Sequence, residues 1–338
     1  MQPELTICIP TCNRGAFALN QVQHTLPLIE KDWEILVLDN GSELSIGDYQ
    51  QIELMAKADP RLTYIRHGEN KGFPLNIAAC FTLASAPYIQ IVTDEDFSNP
   101  PVVVEAIKVL QEFPDLGAIR GSIATLNNAT PRNAMSCPDA FLKAGEEALT
   151  AFSLTTNYLS GMIYNRALLN SNGVFDRFMN GLGNNPASRI YPHMYLDIFV
   201  AAVSDVAFTS ETVCFEGPEA PAVQNIQQLA DSVPYSFGGR LEQFIGFRDA
   251  FREVCSKKNI PLLIYLYGRL CEKYFHLFHG DKFLHQQRDL HLDRLHESLR
   301  SFMLASADIP EFEGHRDVVR TKCEKAFATS LAYRDVLS

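Results

Sequence analysis

The chain is 338 residues long, 46% of them apolar, with a formal net charge of −11 and an isoelectric point near 5.3. That length and apolar content can bury one large core, or a core plus a smaller helical unit, and exclude a minimal module. The acidic balance argues against a sequence-independent hold on nucleic acid, which needs clustered Lys and Arg to release counterions.

The first apolar run, "LTICIPTCNR" at 5–14, comes almost at once. It lacks the basic flank, long apolar stretch and small-residue site of a secretory signal, so none is expected. Two further runs, "EILVLDNGS" (34–42) and "YIQIVTDED" (88–96), also stop in polar residues. Short runs rich in Ile, Val and Leu read as strands covered on both faces, as in a parallel sheet. Helix-like stretches at 15–31, 45–58 and 74–85 lie between them, with a short strand at 62–67. This alternation predicts an open α/β sheet. Polar residues just past its strand ends gather on one ligand-binding rim.

Beyond the acids, "PPVVVEAIKVLQEFP" (100–114) reads as a helix opened by proline, "LGAIRGSIATL" (116–126) as a strand and 127–145 as a polar loop. "YLSGMIYNRALLNSNGVFD" (158–176) reads as strand then helix, and "RFMNGLGNNPASRIYP" (177–192) as a Gly/Asn/Pro-rich lid over a site. "PHMYLDIFVAAVSD" follows as a helix and "VAFTSETVCFEG" as a closing strand. From about 225 the pattern turns to long amphipathic helices, so the predicted organisation is an α/β domain over 1–224 and a helical region over 225–338.

The longest apolar run there, "IPLLIYLYG", falls short of the roughly 20 residues of a membrane-spanning helix. Its stripe Leu262, Leu263, Tyr265, Leu266 and Leu270 is expected to pack on the catalytic domain or another subunit. The histidines of 274–300 alternate with charges of both signs at helical spacing, which reads as a solvated or packing face rather than a metal site. Cys8, Cys12, Cys80, Cys137, Cys214, Cys255, Cys271 and Cys323 show neither zinc-ligand spacing nor a dense disulfide framework. They read as reduced thiols of a cytosolic protein.

Three stretches carry chemistry. If strand geometry persists to its end, Asp94 and Asp96 leave the strand of "YIQIVTDED" on one face and Glu95 on the other. Two such carboxylates suit Mg²⁺ or Mn²⁺; the plainer alternative is a solvated acidic turn ahead of a helix. Asp39, Asn40, Gly41 and Ser42 form an ordinary turn, or else place a carboxylate to accept from the N–H edge of a base or from a ribose. In "PTCNR", Pro10 and Thr11 break a strand, and Asn13 and Arg14 begin a helix unless Arg14 sits near an anionic ligand.

The ordered set "ICIPTCNR", "ILVLDNGS" and "ENKGFPLNIAACFTLASAPYIQIVTDED" resembles the family 2 glycosyltransferases of GT-A fold over roughly residues 4–100. The resemblance implies a donor half at about 1–100 and an acceptor half at about 101–224. It implies a nucleotide-sugar site of Pro10, Thr11, Cys12, Asn13, Arg14, Asp39, Asn40, Lys71, Gly72, Asn76, Asp94 and Glu95, with Asp94 and Asp96 on a Mn²⁺ or Mg²⁺ ion. Cys12 stands where the family has an aromatic residue, and Asn40 where it more often has a second Asp. "LSGMIYNRALL" and "GVFD" resemble its acceptor-side segments and put Gly161 beside the acceptor. Where many inverting members carry a Glu-Asp pair, the chain has "YPHMYLDIFVAA". There His193 and Asp197 are helical neighbours at i and i+4, with His193 as base and Asp197 orienting it, or Asp197 itself as base.

The implied activity is transfer of a hexosyl or N-acetylhexosaminyl group, with inversion, from a nucleoside diphosphate sugar, UDP-sugar favoured, to a glycan or lipid-linked acceptor in polysaccharide assembly. The expected setting is cytoplasmic, with room for peripheral contact at the inner membrane face and for a homo-oligomer through the C-terminal helices. Two rivals stand beside it: a nucleotidyltransferase, whose Gly-rich basic loop "PTCNRGAF" supplies only poorly, and a non-catalytic sugar- or nucleotide-binding module.

Overall fold

The computed structural model describes residues 2–126, 135–155, 158–218, 237–255, 259–280 and 292–337. Strand β1 (Leu5–Thr11) is buried along its whole length, and β2 (Trp33–Asp39) along all but Glu34. Both are therefore covered on two faces, as continuous Ile/Val/Leu runs require. Between them lies α1 (Gly15–Thr25); α2 (Ile46–Ala58), β3 (Leu62–Arg66), α3 (Phe73–Leu83) and β4 (Tyr88–Ile91) follow in alternation. Pro10 does not break β1: it lies within it, in register with Leu38 of β2.

After the acidic turn come β5 (Phe97–Ser98), α4 (Pro100–Glu112), β6 (Leu116–Thr125), β7 (Ala140–Leu142) and α5 (Glu146–Ala151). Then follow β8 (Met162–Asn165), α6 (Arg166–Ser171), α7 (Val174–Gly181), α8 (Pro192–Val203) and β9 (Asp205–Glu216). These strands make one sheet in the order β3-β2-β1-β4-β8-β6-β9-β5, with β7 also paired to β9. The four strands β3, β2, β1 and β4 are mutually parallel, so the ends of β1, β2 and β4 share one rim. The joints of β8 to β4 and to β6 are antiparallel, and β9 runs parallel to β6. The fold is thus GT-A-like: a mostly parallel sheet with flanking helices, followed by C-terminal helices. Part of the expected polar loop is the strand β7, and 127–134 lies outside the described residues.

The chain divides into two compact units, Met1–Leu182 with Tyr191–Val223, and Gly183–Ile190 with Gln224–Ser338. The lid expected over 177–192 is largely ordered structure. Its start completes α7, and Pro186–Arg189 forms a 3-10 turn in which Ala187 and Ser188 are fully buried. Asn185 Nδ2 donates to the Gly246 carbonyl at 2.9 Å.

The second unit is built from α9 (Phe237–Val254), α10 (Ile260–Gly280), α11 (Leu292–Ser306) and α12 (Arg316–Leu337). Phe244, Phe247, Tyr267 and Tyr274 form its aromatic core. Of the expected apolar stripe, Leu262, Leu263, Leu266 and Leu270 are buried, whereas Tyr265 is 39% exposed beneath Lys322 Nζ. His285 and His291 fall outside the described residues.

Gly161, at the turn into β8, has φ +92°, and a Cβ there would meet Ile123 at 3.0 Å. Its carbonyl accepts from the Gly121 N–H at 3.0 Å, which fixes the turn. Gly161→Ala is expected to lower the unfolding free energy by about 1–3 kcal/mol, read as a lower urea midpoint at unchanged slope.

Candidate active site

The loop after β1 is laced to the loop after β2. Asn13 has φ +58°, a left-handed conformation that Asn tolerates better than most residues. Its Oδ1 accepts from the N–H groups of Glu43 (2.8 Å) and Leu44 (3.0 Å), and its own N–H donates to Ser42 Oγ at 2.7 Å. Asn40 does the same for the loop after β3: Oδ1 accepts from Lys71 N–H at 2.9 Å, and Nδ2 donates to Asn70 Oδ1 at 2.9 Å. Gly72 (φ +85°) caps α3. Asn76, almost fully buried, donates from Nδ2 to the Leu38 carbonyl at 3.2 Å. The side chains of Asn13, Asn40 and Asn76 therefore hold the rim together. Cys12 is half-buried, its Sγ donating to the Asn40 carbonyl at 3.6 Å. Burial pushes that thiol above its ordinary pKa, so it stays protonated and takes no anionic role.

Asp39 at the end of β2 is wholly buried. Its Oδ1 accepts from Ser42 N–H at 2.8 Å and its Oδ2 from Tyr64 OH at 2.7 Å, while Arg66 Nε faces Oδ2 at 3.4 Å. Tyr64 and Arg66 reach it because β2 and β3 pair Asp39 with Arg66 in register, and Tyr64 stands two residues earlier on the same face. Beside Asp39 opens a cavity of about 390 Å³, walled by Tyr64 and Arg66 and by Ile46, Tyr49 and Gln50 of α2. Tyr49 OH, Thr11 Oγ1 and Asp94 Oδ2 then form a row of hydrogen bonds, each 2.8 Å long. Thr11 has one proton, which goes to Asp94, so Tyr49 donates to Thr11. The row joins the cavity to the acidic turn.

The expectation that Asp94 and Asp96 share a face does not hold. β4 ends at Ile91, and residues 94–96 form a turn closed by Asp96 N–H on the Thr93 carbonyl at 3.0 Å. Strand alternation stops before either acid. Asp94 turns to Thr11 and to Arg14, whose Nη2 lies 3.0 Å from Oδ1. Arg14 also donates to Glu95, so Glu95 shares that guanidinium with Asp94. Burial pushes the Asp94 carboxyl up to about 7 against the pull of Arg14 and Thr11, and Glu95 and Asp96 push the same way. Burial lowers the Arg14 pKa, but Asp94 and Glu95 outweigh it and the net shift is upward.

Asp96 is turned inward and filled. Tyr158 OH reaches both oxygens (2.8 and 2.7 Å), Thr93 Oγ1 and Ser160 Oγ donate to Oδ2 (2.7 and 2.6 Å), and Gly217 N–H donates to Oδ1 at 3.2 Å. As folded, these four donors occupy the lone pairs of the carboxylate that was expected to face a metal. Among the described residues, no three His, Cys, Asp or Glu side chains converge as a metal cage. A hard divalent ion of nucleotide chemistry does not need one, since it takes one or two carboxylates and completes its shell with phosphate and water. Asp94 and Glu95 fit that requirement: they are adjacent carboxylates that share the guanidinium of Arg14.

On α8 the expected pairing of His193 with Asp197 is absent. Asp197 is buried, with Oδ2 3.0 Å from Arg120 Nη2 on β6 and Oδ1 accepting from Tyr164 OH on β8 at 2.9 Å. Both oxygens are taken from the sheet side, so Asp197 anchors α8 and does not orient the His193 ring. His193, in the first turn of α8, is also buried and presents its ring edge-on to Tyr191. Gly161 is set by backbone conformation, and its neighbour Ser160 braces Asp96, so this segment supports the acidic turn directly.

Burial raises the Asp197 carboxyl to about 6 from 3.8, although Arg120 and Tyr164 pull it down. The folded protein thus binds a proton more tightly than the unfolded chain, and stability falls as pH rises through that window. Relative to Asp197→Asn, the parent protein is expected to lose about 2 kcal/mol between pH 4 and 6, measured by urea unfolding.

A parallel rim that gathers a cavity, a buried carboxylate and an acidic turn on a guanidinium, on a mostly parallel sheet with flanking helices, defines an α/β protein of GT-A type. Residues 6–172, just under half of the chain, match the family model described as Glycosyl transferase family 2. WcaA of Escherichia coli (strain K12), named for glycosyl transfer in colanic acid biosynthesis, is 29% identical over 100 residues, which are 29% of this chain and 34% of that protein. The match thus spans about a third of the length of this curated relative. Among solved structures, S. aureus TarS 1–349 in complex with UDP-GlcNAc superposes with a TM-score of 0.62 at 12% identity, covering 98% of this chain and 92% of that one. The same TarS segment in a second crystal structure gives a TM-score of 0.59 at 12% identity over 98% of this chain and 91% of that one. At such identity the likeness establishes the fold.

Proposed function

We propose that the protein transfers a sugar from a nucleoside diphosphate sugar to a hydroxyl acceptor. The observation that carries this reading is the continuous row from the Asp39 cavity through Tyr49 and Thr11 to Asp94 and Arg14. It offers a ring site and a charged site side by side on a family 2 domain. The base lies in the cavity against Asp39, and the diphosphate lies toward Arg14, Asp94 and Glu95. Asp94 and Glu95 would hold a Mg²⁺ or Mn²⁺ ion, which would neutralise charge on the departing diphosphate. Arg14 holds the turn before donor binding and offers a fixed positive charge to the leaving group.

Sugar transfer proceeds by single displacement with inversion. His193 takes the acceptor hydroxyl proton, and Asp197, tied to Arg120 and Tyr164, keeps α8 in place beneath it. The name of WcaA and the UDP-GlcNAc complex of TarS support a UDP-sugar donor and a role in surface polysaccharide or glycan assembly. The acceptor is then a glycan or lipid-linked sugar. No helix among the described residues is long and apolar enough to cross a membrane. The reading places the protein in the cytoplasm, with an acceptor that comes to it at the inner membrane face.

Incubated with a panel of nucleotide sugars and Mn²⁺, the protein is expected to release nucleoside diphosphate. Asp94→Asn should lower that rate on the order of 100-fold with the fold retained by circular dichroism. Release of pyrophosphate would instead identify a nucleotidyltransferase, and no release from any donor would favour a binding module.

A further inference from the structure

Thr11 and Arg14 hold the side chains of the acidic turn, and the end of β9 meets its backbone. β5 pairs antiparallel with β9, Phe97 opposite Phe215 and Ser98 opposite Cys214. The same register, carried two residues further, brings Glu216 to Asp96 and Gly217 to Glu95. There the Gly217 N–H donates to Asp96 Oδ1 at 3.2 Å, which fastens the two segments together. The approach is closer than any side chain permits. A Cβ on Gly217 would stand 1.7 Å from the Glu95 carbonyl oxygen, 2.9 Å from the carbonyl carbon and 3.1 Å from Phe97 Cε2. The first two are backbone atoms, which do not swing aside as the end of a flexible side chain does. Gly217 is not among the glycines of positive φ, so space and not backbone conformation makes the demand.

We propose that Gly217 is a positioning residue for the diphosphate site: its bare Cα lets the end of β9 close on the acidic turn, and this contact, fastened through Asp96, fixes the direction in which Asp94 and Glu95 face the donor. The obstructed oxygen belongs to the peptide that joins Glu95 to Asp96. That unit is planar and turns as one piece. A methyl group on Gly217 would turn it, re-aiming Glu95 on one side and pulling on the Asp96 clamp on the other. Asp96 binds the arrangement together, because its carboxylate accepts from Thr93 of the turn, from Tyr158 and Ser160 at the entry to β8, and from Gly217. The steric demand falls on Gly217.

The inference rests on the nucleoside diphosphate sugar reading, and the experiment separates the two. UDP and GDP are titrated calorimetrically, with Mn²⁺ present, into the full chain as parent, Gly217→Ala and Gly117→Ala, and the urea midpoint of each protein is measured alongside. Gly117 controls for a purely structural effect: it lies at the start of β6, and a Cβ there would meet Ser204 Oγ at 2.1 Å. Gly217→Ala should weaken nucleotide binding about tenfold or more. Gly117→Ala, whose midpoint also falls, should keep it within about twofold. If Gly217→Ala does not fold, Tyr158→Phe takes its place: it removes one donor from the Asp96 carboxylate and should weaken binding about threefold or more. Parent-like affinity in the folded variant, or equal losses in Gly217→Ala and Gly117→Ala, overturns the role of Gly217 while leaving the donor reading intact. Binding of neither nucleotide by a folded parent overturns both.

Discussion

The hydrogen bond from Thr11 Oγ1 to Asp94 Oδ2, with Arg14 closing on the other oxygen, is the joint on which the site depends. It fastens the end of β1 to the turn after β4, and the Tyr49 hydroxyl extends it to α2. A buried carboxylate tolerates its position only when hydrogen-bonded and paired. Three acids in a row therefore oblige the chain to bring donors from elsewhere. Asp94 and Glu95 draw on Arg14, and Asp96 draws on Tyr158, Ser160 and Gly217. Meeting these demands shapes the rim: the loops after β1 and β4 and the turn into β8 are each held by a carboxylate in need of partners.

The same logic sorts polar residues into those that build the rim and those that face a ligand. Asn13, Asn40 and Asn76 give their amide groups to neighbouring backbone, and so make a surface that is rigid before any donor arrives. Such rigidity matters because a charge-stabilising site is worth most when its dipoles need not reorganise. Asp197 and Arg120 do comparable work farther along the sheet, where a fully buried ion pair ties α8 to β6. A buried pair of this kind contributes more to holding one arrangement than to net stability.

Much of the donor half was legible in local pattern. Ile/Val/Leu runs ending in polar residues gave β1, β2 and β4, and the resemblance of the first hundred residues located Asp39, Thr11 and Asp94. What local pattern could not carry was long-range pairing. The strand before the acids stops at Ile91, so alternation misplaces Asp96, and its partners Tyr158, Ser160 and Gly217 are distant in sequence. The i, i+4 spacing of His193 and Asp197 suggested a dyad, yet Arg120 and Tyr164, on strands brought in by topology, claim Asp197. Tyr64 and Arg66 were the nearest to readable. Once β2 and β3 are known to be parallel neighbours, the register Asp39 to Arg66 puts both on the carboxylate's face.

Amide hydrogen exchange, with and without UDP and Mn²⁺, tests most directly the claim that one rim binds a nucleotide diphosphate. Ligand binding to the folded state slows exchange where it suppresses local opening. Slowing is expected at 11–15, 39–45, 64–72 and 92–97, together and saturably with nucleotide. Slowing confined to the helices beyond 237, or none at any nucleotide concentration, would contradict the account.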